Sequence, residues 1–363
     1  MSNRMQTSGA LEAELSEIIA VTNAFATREL LPHALELDLG DAKTLAACWR
    51  GVCEIGLHRG LLPESAGGVG LSLGGLLAVL EELAVGDGGI AALTLLSNGA
   101  LALLPEAMLS AIDEAARFVL VPLPEPGTPG STALTIGGST ASGRISFALG
   151  GIGADGLVLV GREGEEDVVV AIEAGSRGLR IERDEAQLAL HGAPAAIIEC
   201  AKAPVERLGG GELALSARIL LNAGIAAIAR GIARRSRDAA LEYAENRFQG
   251  GSMIIEYGAI RDMIARMSER NRVTGGAAAF AGYSLNGRGP RSGREALAQA
   301  IAAKTAATDA AVESTTDAVQ VFGGVGYMHE TGVEKLMRDA RYCQLFPQAN
   351  WLARDQLVEL ERG

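Results

Sequence analysis

The residues best placed to do chemistry lie near the C-terminal end. Residues 318–327 carry Gly323, Gly324 and Gly326 directly after an Ala-rich stretch, 302–318, whose apolar residues fall at helical spacing. Glycines at such a junction let the backbone stop, turn and approach another group closely. A second helix is expected from about Gly332, with Glu334, Lys335, Arg338 and Asp339 on its polar side. Two helices around this corner could receive a phosphate or a ring, and a ligand-free corner would use the same glycines. A second candidate is the loop Pro124 to Ser131, whose glycines expose backbone N–H groups able to hold a ring carbonyl or phosphate; a plain turn satisfies it too. Cys48, Cys53, Cys200 and Cys343 show no metal-ligand spacing, and His33, His58 and His191 have no constellation around them.

The elements that must position these groups read as three units. Residues 1–118 are expected to be helical, with Asp41 as an N-cap and a loop over 56–71 around Pro63. Residues 119–206 change to short strands: 118–123, 157–160, 167–172 and 195–200, separated by turn residues. Residues 207–363 return to helix: 214–243, about 253–283, a loop over 284–293, then 295–322. The expected fold class is α+β, mostly α, with a small β-barrel or sandwich between two helical units.

Bulk composition limits the partners. The chain has 363 residues, 48% of them apolar and only 4% aromatic, which suits closely packed helices. Its net charge of -12 argues against nucleic acid or an anionic membrane surface as a partner. The N-terminal residues are polar, and no uncharged apolar run reaches the roughly 18 residues of a bilayer span. A cytoplasmic protein is expected.

The C-terminal stretch resembles the signature of the acyl-CoA dehydrogenase family, flavoproteins that desaturate acyl-CoA thioesters. Gln320, Phe322, Gly323, Gly324, Gly326 and Tyr327 match its Q-x-F-G-G-x-G-Y pattern, and Val333 to Ala340 match V-E-[RK]-L-M-R-D-A. Pro63, Glu64, Gly67, Gly68 and Gly70, followed by Glu81 to Ala84, match an N-terminal motif of the family. Glu125, Pro126, Gly130 and Ser131 match its T-E-P-x-A-G-S-D loop with one extra residue, and Thr132 replaces the acid. Tyr243, Arg247 and Gln249 match Y-x-x-x-R-x-Q-F-G. The resemblance implies FAD, with Arg247, Gln320, Gly323, Gly324 and Ser131 as cofactor contacts. Arg247 would meet a flavin pyrophosphate across a subunit interface, where a guanidinium forks onto phosphate oxygens. It further implies an acyl-CoA substrate, an electron-transferring flavoprotein as electron acceptor, and a tetramer.

The same resemblance exposes what is missing. The family glutamate that removes the α-proton lies in Y-E-G-T; this chain has Phe346, Pro347, Gln348 and Ala349 there. A minority of members place the acid on an earlier helix, before an Arg. The matching pair is Ala217 and Arg218, which leaves Arg218 as a candidate substrate contact without the acid. Leu149 stands where a flavin-contacting Thr is usual, Gly250 for an aromatic, and Gly258 for a Gln. Glu330 is then a candidate relocated base, as is His329. Three readings follow: the base-lacking subunit of a two-component acyl-CoA dehydrogenase, a self-sufficient homotetramer with a relocated base, or a flavin-free structural pseudoenzyme.

Overall fold

The computed structural model describes residues 2–113, 115–125, 128–283 and 293–362, with side chains from residue 13 and excluding those of 276–283. Pro126 and all of the expected loop over 284–293 except Gly293, which begins a helix, lie outside the described residues.

The N-terminal unit is built from α1 (Ser2–Phe25), α2 (Ala34–Asp38), α3 (Ala42–Glu54), α4 (Leu73–Gly86), α5 (Gly88–Leu103) and α6 (Glu106–Leu109). Asp41 caps α3 as expected, accepting a hydrogen bond from the Thr44 N–H at 2.7 Å. From Gly88 to Leu101, α5 is buried on every side, which its lack of charge permits.

Strands then run from Phe118 to Gly209: β1 (Phe118–Val121), β2 (Thr135–Gly137), β3 (Thr140–Ala148), β4 (Gly156–Glu163), β5 (Glu166–Glu173), β6 (Leu179–Arg183), β7 (Ala196–Pro204) and β8 (Glu206–Gly209). They form one sheet in the order β6-β7-β3-β2-β4-β5-β8, with β1 parallel to β4. Four of these strands, β2, β3, β6 and β8, were not expected. β3 and β6 alternate polar residues with apolar ones, so they lack the continuous apolar run that marks β4 and β5.

The C-terminal unit holds α7 (Gly211–Asn246), a two-residue hairpin of β9 (Phe248–Gln249) and β10 (Ser252–Met253), α8 (Gly258–Tyr283), α9 (Gly293–Phe322), α10 (Val333–Leu345) and α11 (Asn350–Arg362). The hairpin replaces the expected start of α8, because Gly250 and Gly251 both take positive φ. α7 packs on α4 so closely that a Cβ at Gly231 would sit 2.3 Å from the Glu81 carbonyl oxygen. Among the described residues α7 is the one helix long and apolar enough to cross a membrane, but 67% of its most apolar window is buried inside the protein. It is the central strut of a mostly helical α+β fold, the class the sequence implied.

Candidate active site and cofactor face

A cavity of about 430 Å³ opens between the sheet and the α10–α11 corner, lined by Val121, Leu123, Phe147, Tyr342, Phe346 and Pro347 among others. Its volume suits a small ligand. Beyond β1 the chain runs through Pro122 to Glu125, and Glu125 Oε1 accepts a hydrogen bond from the Ala349 N–H at 2.7 Å. Burial pushes the Glu125 carboxyl above its ordinary value, against the pull of that N–H and of Lys304. Lys304 is fully buried on α9. Its ammonium donates to the carbonyls of Gln344 and Gln348 and to Asn350 Oδ1, at 3.0, 2.6 and 2.6 Å. The corner that carries Pro347 is therefore anchored from both sides.

Thr128, Ser146, Tyr342 and Trp351 put side-chain donors on the wall of this cavity. Pro347 and Ala349 line it, and Leu149 is buried beside the end of β3. Ser131 Oγ accepts from the Ser146 N–H at 2.9 Å, so it braces its own loop. Leu188 and Trp351, also on the lining, are 67% and 69% exposed.

A second cavity of about 220 Å³ shares Pro122–Glu125 and Pro347 with the first. Its far wall is α7, through Ala217, Arg218, Leu221 and Asn222. Glu125 and Pro347 thus stand in the partition between two spaces.

Glu330 is not brought to either cavity. It is exposed on the short turn His329–Thr331 that precedes α10. The larger cavity lies at the opposite end of that 13-residue helix, about 18 Å away at about 1.5 Å per residue. His329 shares that turn, with Nδ1 3.2 Å from Glu334.

The charged residues of α10 correct a second expectation. Lys335 and Asp339 do not face solvent. Lys335 Nζ lies 2.9 Å from Asp87 and 2.6 Å from Asp339, and all three are nearly or fully buried. Asp339 Oδ1 accepts from the Leu190 N–H at 2.7 Å. Arg338 pairs with Asp38 at 2.6 Å and Glu334 at 2.7 Å, and donates to the Leu188 carbonyl at 2.8 Å. His191 Nδ1 lies 3.2 Å from Asp38. Burial works against the Asp38 charge, but hydrogen bonds from His191 and Arg338 outweigh it and hold the carboxyl well below its usual range. Asp38, His329 and Glu334 approach like metal ligands. Arg338 already neutralises both carboxylates, so the trio is part of a charge network that staples α10 to α2, α5 and the loop over 188–190.

Arg247, Gln320, Gly323 and Gly324 gather elsewhere. Tyr243 stacks on Phe322 with ring centroids 4.2 Å apart, which brings the C-terminal ends of α7 and α9 together. Arg247 follows one turn after Tyr243, is exposed, and has no side-chain partner among the described residues. Gln320 is exposed on α9. Gly323 takes φ +65°, so its own backbone requires glycine, whereas Gly324 has no positive φ and nothing within 4 Å of a Cβ. No contact among the described residues therefore accounts for glycine at 324. A Cβ at Gly250 would meet Tyr257 Oη at 2.6 Å, so the chain's own tyrosine fills the space an aromatic at 250 would need.

The profile described as acyl-CoA dehydrogenase, N-terminal domain, matches residues 12–108, and that of the C-terminal domain matches residues 217–347. Cyclohex-1-ene-1-carbonyl-CoA dehydrogenase of Geobacter metallireducens is 29% identical, over 91% of this chain and 93% of the relative. The probable acyl-CoA dehydrogenase FadE25 of Mycobacterium tuberculosis is 28% identical, over 95% and 94%. The solved butyryl-CoA dehydrogenase from Megasphaera elsdenii superposes with a TM-score of 0.84 at 22% identity, over 96% of this chain and 98% of that one. The chain belongs to the acyl-CoA dehydrogenase family, FAD-dependent oxidoreductases acting on CH–CH bonds.

The residues present on the outward face fit a dinucleotide. A guanidinium unpaired among the described residues and an unhindered Gly324 suit a pyrophosphate approaching from outside, while Leu149, Pro347 and Ala349 bring no side-chain donor of their own to the cavity.

Proposed function

We propose that this chain is the base-lacking subunit of a two-component, FAD-dependent acyl-CoA dehydrogenase. The observation that carries the reading is the contrast between two places in one chain. The cavity at the α10–α11 corner is walled by Pro347 and Ala349, neither of which accepts a proton. The face formed by Arg247, Gln320, Gly323 and Gly324 is open and unpaired. In this reading the face serves a flavin seated in the neighbouring chain, which also supplies the glutamate. Bound FAD supplies hydride acceptance at N5. This chain's part is to clamp the pyrophosphate through Arg247 and to let it approach at Gly323 and Gly324. The substrate is a CoA thioester, the electron acceptor an electron-transferring flavoprotein, the assembly a tetramer of two kinds of chain, and the compartment the cytoplasm.

Co-expression with a second family member that has the Y-E-G-T glutamate tests it. The co-purified complex should hold fewer flavins than chains and should desaturate an acyl-CoA that this chain alone leaves unchanged. One FAD per chain and full turnover by the single purified chain would overturn the reading.

One observation favours a second reading, a self-sufficient enzyme. Glu125 places a carboxylate in the partition beside Pro347, and burial makes it a stronger base than an ordinary glutamate. Under that reading Glu125→Gln abolishes turnover by the single chain.

A further inference from the structure

The fold brings to His191 what its sequence neighbours do not. Its Nδ1 lies 3.2 Å from Asp38 Oδ1 on α2, and its Nε2 lies 3.0 Å from the Gln187 carbonyl oxygen. Both partners only accept. Against burial, hydrogen bonds from His191 and Arg338 keep Asp38 ionised, and a carbonyl has no proton to give. A neutral imidazole has one N–H and one lone pair, so it satisfies one of these oxygens and sets its lone pair against the other. Only the imidazolium donates to both.

The charges packed around it favour that state. From α10, Arg338 and Lys335 act on Asp38, and Glu334 pairs with Arg338. His329 Nδ1 lies 3.6 Å from Asp38 Oδ2, and Asp87, at the start of α5, lies against Gly192. The bond to Asp38 raises His191 above its ordinary value against burial, and the Gln187 carbonyl adds to the rise.

The segment that this imidazolium holds is the rim of the larger cavity. Ala186 and Leu188 line that cavity, and Gln187 stands between them. Gln187 Nε2 binds the carbonyls of Ala189 and Leu190 at 2.9 and 3.1 Å, so the segment moves as a unit. Leu190 takes φ +56°, a left-handed conformation that strains a residue with a bulky side chain. Two bonds keep it there: its own N–H to Asp339 at 2.7 Å, and His191 to Asp38.

We propose that His191 is a proton-operated clamp on the mouth of the larger cavity. Protonated, it ties the Gln187 carbonyl, and with it Ala186 and Leu188, to Asp38 on α2. Loss of the proton leaves Nδ1–H with the ionised carboxylate and turns the Nε2 lone pair onto the Gln187 oxygen. Arg338 still holds the Leu188 carbonyl at 2.8 Å, so the rim loosens without detaching. The clamp is fully closed below the ordinary histidine value of 6.5 and opens as pH rises past the raised one. It operates whether the flavin sits in this chain or in its neighbour. Nuclear magnetic resonance of the full chain with isotope-labelled histidine tests the proton. Both ring nitrogens of His191 should carry one at pH 6.5, and the midpoint should lie above that value. Amide exchange tests the clamp: corrected for the intrinsic rate, protection at Gln187 and Leu190 should fall about tenfold across the midpoint. His191→Gln should show the lower protection at every pH and His191→Arg, which stays charged, the higher one. His329→Gln should leave the transition in place. A midpoint at or below 6.5, or unchanged protection across it in the unsubstituted chain, would overturn the inference. So would a transition that survives His191→Gln or disappears in His329→Gln.

Discussion

Glu125 and Ala349 are 224 positions apart in sequence, yet the carboxylate of one accepts the backbone N–H of the other at 2.7 Å. The bond latches the sheet to the α10–α11 corner at the point where the family's proton acceptor would stand. Glu125→Ala removes the acceptor and should lower stability by about 1–2 kcal/mol. Glu125→Gln keeps an acceptor oxygen and should unfold within about 0.5 kcal/mol of the parent. Urea titration of the two variants separates a latch from a base: only a base loses turnover in the Gln variant.

The buried triad of Lys335, Asp87 and Asp339 gives a second expectation. Lys335→Met would leave two carboxylates facing each other out of solvent, and breaking a buried pair in this way costs about 3–5 kcal/mol. Burial, reinforced by Asp87, already pushes the Asp339 carboxyl up. Lys335→Met in combination with Asp87→Asn and Asp339→Asn should recover part of the loss, because no like charges then remain. The midpoints of urea unfolding for the single and triple variants measure both effects.

This triad also marks where sequence reading stopped short. The glycine corner and α10 were legible, because each depends on residue types at short fixed spacing. The direction in which α10 faces was not. Glu334 with Arg338 and Lys335 with Asp339 pair opposite signs at i, i+4, which is the pattern of a solvated face. Only Asp87 and Asp38, brought in from the far end of the chain, turn it into a buried one. Glu330 lies away from the cavity for a related reason. Proximity in sequence to the R-D-A motif put it at one end of α10, while the cavity sits at the other. Glu125 was visible as a motif match, but its partner on the α10–α11 corner was not.

Lys304 should impose a pH dependence. Burial pulls it down to about 8 from an ordinary 10.5. Between those values the unfolded chain holds the extra proton and the folded chain does not, so stability rises with pH across this window. Below about pH 8 both states carry the charge, and the cost of burying it is fully present. Lys304→Met removes the titrating group and strands three acceptors on Gln344, Gln348 and Asn350, so it should be less stable by about 3 kcal/mol. Chemical unfolding of both proteins at pH 7.5 and pH 10 checks the sign: the parent's stability should gain on the variant's as pH rises.

Two adjacent glycines offer the sharpest test of the outward face, because they differ in what the chain itself demands. Gly323 sits at φ +65°, so Gly323→Val should strain the backbone by about 1–3 kcal/mol and lower the melting temperature of the isolated chain. Gly324 has neither positive φ nor a neighbour within 4 Å of a Cβ, so Gly324→Val should leave the isolated chain's stability within about 0.5 kcal/mol. In the co-purified complex the valine would stand where a dinucleotide must approach, and flavin absorbance per mole of complex should fall. Arg247→Ala should do the same, again without a change in melting, because the guanidinium has no partner among the described residues to lose. Undiminished flavin in both Gly324→Val and Arg247→Ala would mean that this face holds no cofactor, and a loss of stability in Gly324→Val would mean that the glycine is there for the fold.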